Sequence, residues 1–212
     1  MADKYSAMKS IHVEPTNRCT LGCPECDRTL RPVTEIQDLD IDIIAGLCQH
    51  FDRVSFSGSQ GDPIYHPQFH DMIRRVRTLQ PNIVIRIITN GSFRNRDWWI
   101  DTAGLLTARD EITFSIDGLP ENNHIYRVRS RWDLLEQGIR ALRENNDQVQ
   151  LLWKWIIFRH NQQDLKAGRE LATALGFDRI QFQWSPRYNK ERAYLTPDRD
   201  FNSLMAELHE PS

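Results

Sequence analysis

Three cysteines stand in a Cys-x3-Cys-x2-Cys run, Cys19-Thr20-Leu21-Gly22-Cys23-Pro24-Glu25-Cys26, directly after a strand-like stretch from Ser10 to Glu14. Three thiolates in one turn-rich loop can hold three irons of a cubane iron–sulfur cluster, and no fourth cysteine lies close by in sequence to close it. One iron is then left open, and an open iron is a place for a ligand. Thiolates at this density also bind zinc, with His12 or the distant Cys48 as a fourth ligand. Zinc sites usually space their ligands as two Cys-x2-Cys pairs, whereas this chain has one such pair and a shell one thiolate short.

Other stretches carry groups suited to binding. Ser57-Gly58-Ser59-Gln60-Gly61-Asp62-Pro63 is a turn whose glycines let backbone groups approach a ligand, while Asp62 offers an acceptor for an ammonium group. Asp117-Gly118 is a turn former that places a carboxylate at a strand end. Arg127-Val128-Arg129-Ser130-Arg131 is the densest basic run and reads as a solvated loop. In Trp153-Lys154-Trp155 the strand period of two puts both tryptophans on one face and Lys154 on the other. Bulky apolar area is wanted under helices, so Lys154 is expected to face inward as a cation.

These groups need a scaffold, and the hydrophobic periodicity supplies one. Strands are expected at residues 10–14, 53–57, 83–89, 111–116, 149–158 and 178–184. Between them, Asp40 to Phe51 has apolar residues at 44, 47, 48 and 51, with Cys48 on that stripe as a buried small hydrophobe. A second helix is expected from Pro67, a favoured first helical position, to Gln80 with Phe69, Ile73, Val76 and Leu79 inward. A third runs from Asp97 to Leu106. Ser130 to Asp133 has the form of a capping box opening a helix to Asn145, and Asn161 to Asp164 repeats it before a helix ending near Gly176. Phe201 to Leu208 is a short helix closing the end; Ser185 to Asp200 reads as irregular, and no internal sequence repeat is found.

Alternating βα units imply a parallel sheet with right-handed crossovers. A full barrel needs eight units and roughly 250 residues. Six units in 212 residues predict an α/β fold, an open partial (β/α)6 TIM-like barrel. Loops after the strands then gather on one rim, where the cysteines, Gly58 to Pro63, Asn90-Gly91 and Asp117-Gly118 all fall. Glu14 is expected to point into the barrel as a buried carboxylate that needs a partner.

The length fits one domain over residues 1–212, with a core at about 10–184 and a C-terminal extension at 185–212. With 27 basic and 29 acidic residues the net charge is −2, which gives no general reason to bind nucleic acid or a membrane surface. Met1 to Tyr5 has no signal-peptide core and no stretch approaches the ~18 apolar residues of a membrane span, so a cytoplasmic location is expected. That suits thiols kept reduced for a cluster. Cys48 alone cannot hold a second cysteine-ligated cluster.

The cysteine spacing and rim loops resemble those of the radical S-adenosylmethionine (SAM) superfamily, closest in motifs to its peptide- and cofactor-modifying branch and without an auxiliary-cluster domain. The resemblance implies a [4Fe–4S] cluster on Cys19, Cys23 and Cys26, with the amino and carboxylate groups of SAM on the open iron. It further implies a flavodoxin- or ferredoxin-like electron donor and reductive cleavage of SAM to a 5′-deoxyadenosyl radical, which abstracts hydrogen from a substrate. Gly61, Asp62 and Pro63 stand where the family has Gly-Gly-Glu-Pro, the segment that binds the methionine amino group; with the shorter carboxylate here, backbone carbonyls suit that role best. Ser115 and Asp117 match Ser-x-Asp-Gly, where the serine contacts the SAM ribose or carboxylate, and Arg127 matches the arginine that pairs with that carboxylate. Glu14 and Thr16 also match the branch. Glu25 stands where an aromatic residue near the adenine is common, which leaves adenine stacking to Trp184. A peptide is the expected substrate, with a nucleotide or small metabolite as the alternative. The rival from another class is a non-catalytic metal protein.

Overall fold

A computed structural model describes residues 9–185 and 195–208. Six strands, β1 (Ser10–Val13), β2 (Arg53–Phe56), β3 (Val84–Thr89), β4 (Glu111–Ser115), β5 (Gln150–Ile156) and β6 (Arg179–Gln183), pair in sequence order and all in parallel. The first and last strands do not pair with each other, so the barrel wall is open, as six units require.

Strand alternation sorts the side chains into two environments. Val54, Phe56, Ile85, Ile87, Ile112, Phe114, Trp153 and Trp155 point outward under the helices and are wholly buried. Trp153 and Trp155 stack at 5.4 Å. At 25 cal/mol per Å², a buried tryptophan contributes about 4 to 6 kcal/mol of transfer free energy. The opposite face carries Ser55, Arg86, Glu111, Thr113, Ser115, Lys154 and Gln181, so Lys154 faces the lumen as expected. A parallel sheet covered on both sides is apolar on both. This lumen instead mixes those polar groups with Ile88, Leu152 and Ile156.

The helices are α1 (Asp27–Leu30), α2 (Ile41–Cys48), α3 (Phe69–Leu79), α4 (Arg96–Ala103), α5 (Asn123–Tyr126), α6 (Trp132–Asn145), α7 (Leu165–Ala174) and α8 (Phe201–Glu207). The short α1 and α5 were not expected from periodicity, since one turn has none. Leu47 and Leu79, expected inward, are exposed; α2 instead buries Ile44, Ala45 and Cys48. The second helix begins at Phe69 and not at Pro67, because His66 Nδ1 already accepts the Gln68 N–H at 3.1 Å and holds that segment as a turn.

Neither capping box forms. The Ser130 hydroxyl takes the Asn123 side-chain amide at 3.1 Å and Asp133 pairs with Arg131, leaving α6 without a side-chain cap. Asn161 accepts the Phe158 N–H at 2.7 Å and donates to the Asp117 and Ile156 carbonyls at 2.8 and 3.0 Å, which ties the β5 end to the β4 loop. Tertiary partners outcompete the local cap in both cases.

A local repeat does exist. Asp52-Arg53-Val54-Ser55-Phe56, Asp110-Glu111-Ile112-Thr113-Phe114 and Asp178-Arg179-Ile180-Gln181-Phe182 open the second, fourth and sixth strands with the same Asp-x-(Val/Ile)-x-Phe pattern. Each aspartate accepts an N–H from the strand before it or from its entry: Lys9 at 2.9 Å, Ile85 at 2.7 Å and Leu151 at 2.7 Å. Arg77 and Arg143, on the helices that cross between, pair with Asp110 and Asp178. Five residues recurring at long, unequal intervals are faint in sequence, and the shared bonding gives them meaning.

Candidate active site

The loops leaving the C-terminal ends of the strands surround one cavity of about 450 Å³. All three cysteines of the Cys-x3-Cys-x2-Cys run line it, and each sulfur meets a different loop. The Cys19 sulfur receives the Asn90 side-chain amide at 3.8 Å, the Cys23 sulfur receives Arg127 Nη1 at 3.9 Å, and the Cys26 thiol donates to the Ser59 carbonyl at 3.5 Å. Gly22 N–H to the Val128 carbonyl, 3.0 Å, docks the cysteine loop on the segment after α5. Leu21, Cys23, Tyr126, Phe158 and Leu195 form a second, smaller apolar cluster around the sulfurs.

Burial, reinforced by Asp62, pushes the Cys19 thiol up to about 12, and burial also pushes Cys23 up despite Arg127 beside it. Such thiols are poor acids until a cation shares the site, and bound metal deprotonates a coordinating thiol outright. Neither candidate fourth zinc ligand is there. Cys48 is buried in the main core, and His12 stands on the β1 edge, 3.2 Å from the Ser57 hydroxyl and 3.7 Å from Glu14. Among the described residues no three His, Cys, Asp or Glu side chains converge on a single metal ion.

The glycine-containing loop leans on the cysteine loop. A Cβ on Gly61 would fall inside the Thr16 carbonyl oxygen and 2.8 Å from the Asn17 Cα, so the glycine is required by chain against chain and not by a ligand. Asp62 N–H donates to the Arg18 carbonyl at 2.9 Å. The Asp62 carboxylate is consumed as well: it accepts from Ile64 N–H, the Thr89 hydroxyl, Asn90 N–H and the Asn90 side-chain amide. An ammonium group finds no free lone pair of the right aim there, which corrects the expectation for its side chain. Pro63 turns inward and opens a buried 3-10 turn, Pro63–Tyr65, off the cavity wall.

A profile described as the radical SAM superfamily matches residues 13–152. The chain belongs to the radical SAM superfamily. It is 28% identical over 123 residues to the tungsten-containing aldehyde ferredoxin oxidoreductase cofactor-modifying protein of Pyrococcus furiosus, a match covering 56% of this chain and 33% of that one. It is 25% identical over 203 residues to PqqA peptide cyclase of Gluconobacter oxydans, covering 90% of this chain and 54% of that one. The chain thus spans a third to about half of these curated relatives. Among solved structures, Streptococcus suis SuiB bound to S-adenosylmethionine matches with a TM-score of 0.72 at 14% identity, over 95% of this chain and 47% of SuiB; with its precursor peptide SuiA bound the TM-score is 0.67. At that identity the likeness is one of fold, the partial barrel.

The donor set fits the family's cluster: three soft thiols from one loop, with no fourth protein ligand among the described residues and an open side on a polar cavity. Of the residues assigned to SAM, Gly61, Asp62, Ser115, Arg127 and Trp184 line the cavity, Trp184 at its rim, 38% exposed and edge-on to Phe201. Arg127 is not part of a solvated run. Its side chain is 17% exposed, and its Nε donates at 2.6 Å to Asp117, which with Cys23 raises its pKa against the pull of burial. Asp117 is fully buried behind Arg127, off the cavity wall, and also accepts the Ile156 N–H at 2.7 Å; it orients the arginine instead of touching a ligand. Glu14 is exposed beyond the end of β1 and accepts the Ser59 N–H at 3.0 Å, so it holds the loop and is not a buried lumen carboxylate. Thr16 bonds Asp38 at 2.6 Å, and Glu25 is buried off the cavity wall. Asn90, read from sequence only as half of a turn, is the residue missed; its place at a strand end beside the rim was the available signal.

Proposed function

We propose that this radical SAM chain holds one [4Fe–4S] cluster on Cys19, Cys23 and Cys26, binds SAM in the adjoining cavity and acts on a peptide. The observation that carries the reading is the three sulfurs from one loop, turned to three different loops around a single cavity. When bound, such a cluster would supply one electron to SAM, whose C5′–S bond would break to give methionine and a 5′-deoxyadenosyl radical able to take hydrogen from the substrate. The chain's residues bind and orient. Asn90 and Arg127 donate to cysteine sulfurs, which lowers the cost of holding them as thiolates. The Arg127 guanidinium, fixed by Asp117, offers its remaining donors to the methionine carboxylate, and the Gly58 to Gly61 backbone is left to take the amino group. Ser115 serves the ribose and Trp184 the adenine face. A flavodoxin- or ferredoxin-like donor supplies the electron. Reduced thiols suit a cytoplasmic setting; among the described residues no helix is long and apolar enough to cross a membrane.

Likeness to a peptide cyclase over 90% of the chain favours a peptide over a nucleotide. The open wall supports this as well, because an unpaired strand edge is a template on which an extended peptide can add. Reduced enzyme with SAM is expected to form 5′-deoxyadenosine above its uncoupled background when given peptide pools and not with nucleotide pools. Stimulation by nucleotides alone would replace the substrate class and leave the radical SAM assignment standing.

Arg127→Lys tests the SAM contact, since it keeps a cation beside Asp117 yet loses the planar fork. SAM affinity by equilibrium dialysis is expected to fall by about 1.5 kcal/mol, the worth of a charge-assisted bond. Unchanged affinity would confine Arg127 to the support of Asp117 and Cys23.

A further inference from the structure

Four charged side chains line the cavity: Arg28, Asp62, Arg127 and Lys154. Three are committed to the protein. Asp62 is saturated by Thr89, Asn90 and Ile64, Arg127 is paired with Asp117, and Arg28 donates to the Asn17 carbonyl at 3.2 Å. The Lys154 ammonium alone has no hydrogen-bond or ion-pair partner among the described residues, although the residue is half-buried in the lumen. Strand register puts it between Ser115 on β4, which also lines the cavity, and Gln181 on β6, which is exposed and off the cavity wall. The lumen carboxylate on the neighbouring strand, Glu111, lies four residues, about 13 Å, further down. It is already held by Arg86 at 2.9 Å and Arg179 at 3.6 Å. An ammonium withdrawn from water without a counter-charge is costly, and a ligand that brings an anion into that row removes the cost.

We propose that Lys154, beside Ser115, is a carboxylate subsite that selects peptides presenting an acidic side chain to the lumen. The proposal rests on the peptide reading above. SAM carries a carboxylate too, but the cation at the sulfurs is Arg127, in contact with Cys23 and level with Asp117. Lys154 lies two residues before Ile156, whose N–H meets Asp117, and so stands deeper in the lumen than that level. Lys154 therefore stands on the substrate's side of the cavity, level with Ser115, where the ribose and the substrate adjoin.

The test uses reconstituted enzyme and two fluorescent peptide pools that are identical except that one carries Asp and Glu where the other carries Asn and Gln. Binding is read by anisotropy and SAM binding separately by equilibrium dialysis. Wild-type enzyme is expected to bind the acidic pool about tenfold more tightly than the amide pool, the ratio one charge-assisted contact supplies. Lys154→Met is expected to bind both pools alike with SAM affinity unchanged, and Lys154→Arg to recover most of the preference. Equal binding of the pools by wild-type enzyme, or an undiminished acidic preference in Lys154→Met, would overturn the subsite while leaving the peptide reading in place. A tenfold loss of SAM affinity in Lys154→Met would reassign the lysine to SAM and overturn it as well. Failure of both pools to bind the wild-type enzyme would remove the peptide reading and this proposal together.

Discussion

Alanine at Cys19, Cys23 or Cys26 is expected to remove the iron–sulfur absorbance and all SAM cleavage, whereas Cys48→Ala should keep both. The four cysteines are all free, so the difference lies in where the fold puts them. The first three face one cavity, while Cys48 lies on α2 with no exposure, packed in the main core. A cubane left with two thiolates loses the anchoring that keeps it in the protein. Truncating Cys48 instead deletes a small buried group, which costs about 1 kcal/mol of stability. Iron and sulfide content after anaerobic reconstitution, with the bleaching of the absorbance by dithionite, separates the two cases. Loss of the cluster in Cys48→Ala as complete as in Cys19→Ala, or a protein that takes up only zinc, would refute the three-cysteine assignment.

The fold was legible because its signal is repeated. Six apolar strands alternate with amphipathic helices, and the period of two sorts Trp153 and Trp155 from Lys154 without any knowledge of neighbours. The cysteines were legible because their spacing is a local property. What escaped sequence reasoning depends on partners distant in the chain. Ser130 and Asn161 look like helix caps, yet each is drawn off by a group on another segment. Leu47 completes a helical stripe in sequence but lies outside the arc that meets α3 and the sheet.

The two rim aspartates teach the same lesson. Asp62 and Asp117 both end strand-loop motifs of a binding family, so their carboxylates read as ligand contacts. In the folded chain each clamps its loop to the next: Asp62 takes donors from Thr89 and Asn90 at the end of β3, and Asp117 takes the Ile156 N–H at the end of β5. At the other end of the barrel Asp52, Asp110 and Asp178 do the equivalent work between paired strands. An open barrel has no ring closure to fix its strand ends. Carboxylates that accept backbone N–H groups across neighbouring units provide that constraint, three of them, Asp62, Asp110 and Asp117, buried.

Gly61→Ala is expected to be the most damaging single-methyl change in the chain, at about 3 to 5 kcal/mol, beyond the usual range for overpacking. The added Cβ would overlap the Thr16 carbonyl and crowd the Asn17 Cα, both backbone atoms that cannot rotate away. Nor can that backbone retreat freely. Thr16 forms a bridge with Asp38, Asn17 N–H is bonded to the Gln37 carbonyl at 3.2 Å, and Arg18 accepts from Asp62. Relief therefore means parting the glycine-containing loop from the cysteine loop, which breaks the Asp62–Arg18 bond and moves Ser59 away from Cys26. Cluster content should fall along with the melting temperature. Gly46→Ala provides the contrast: it lies inside α2 with nothing within 4 Å of the new methyl, and helix propensity predicts a gain of about 0.5 to 1 kcal/mol with full cluster loading. Denaturant unfolding and iron content of the two variants decide the matter, and equal stabilities would mean that the two loops do not meet as described.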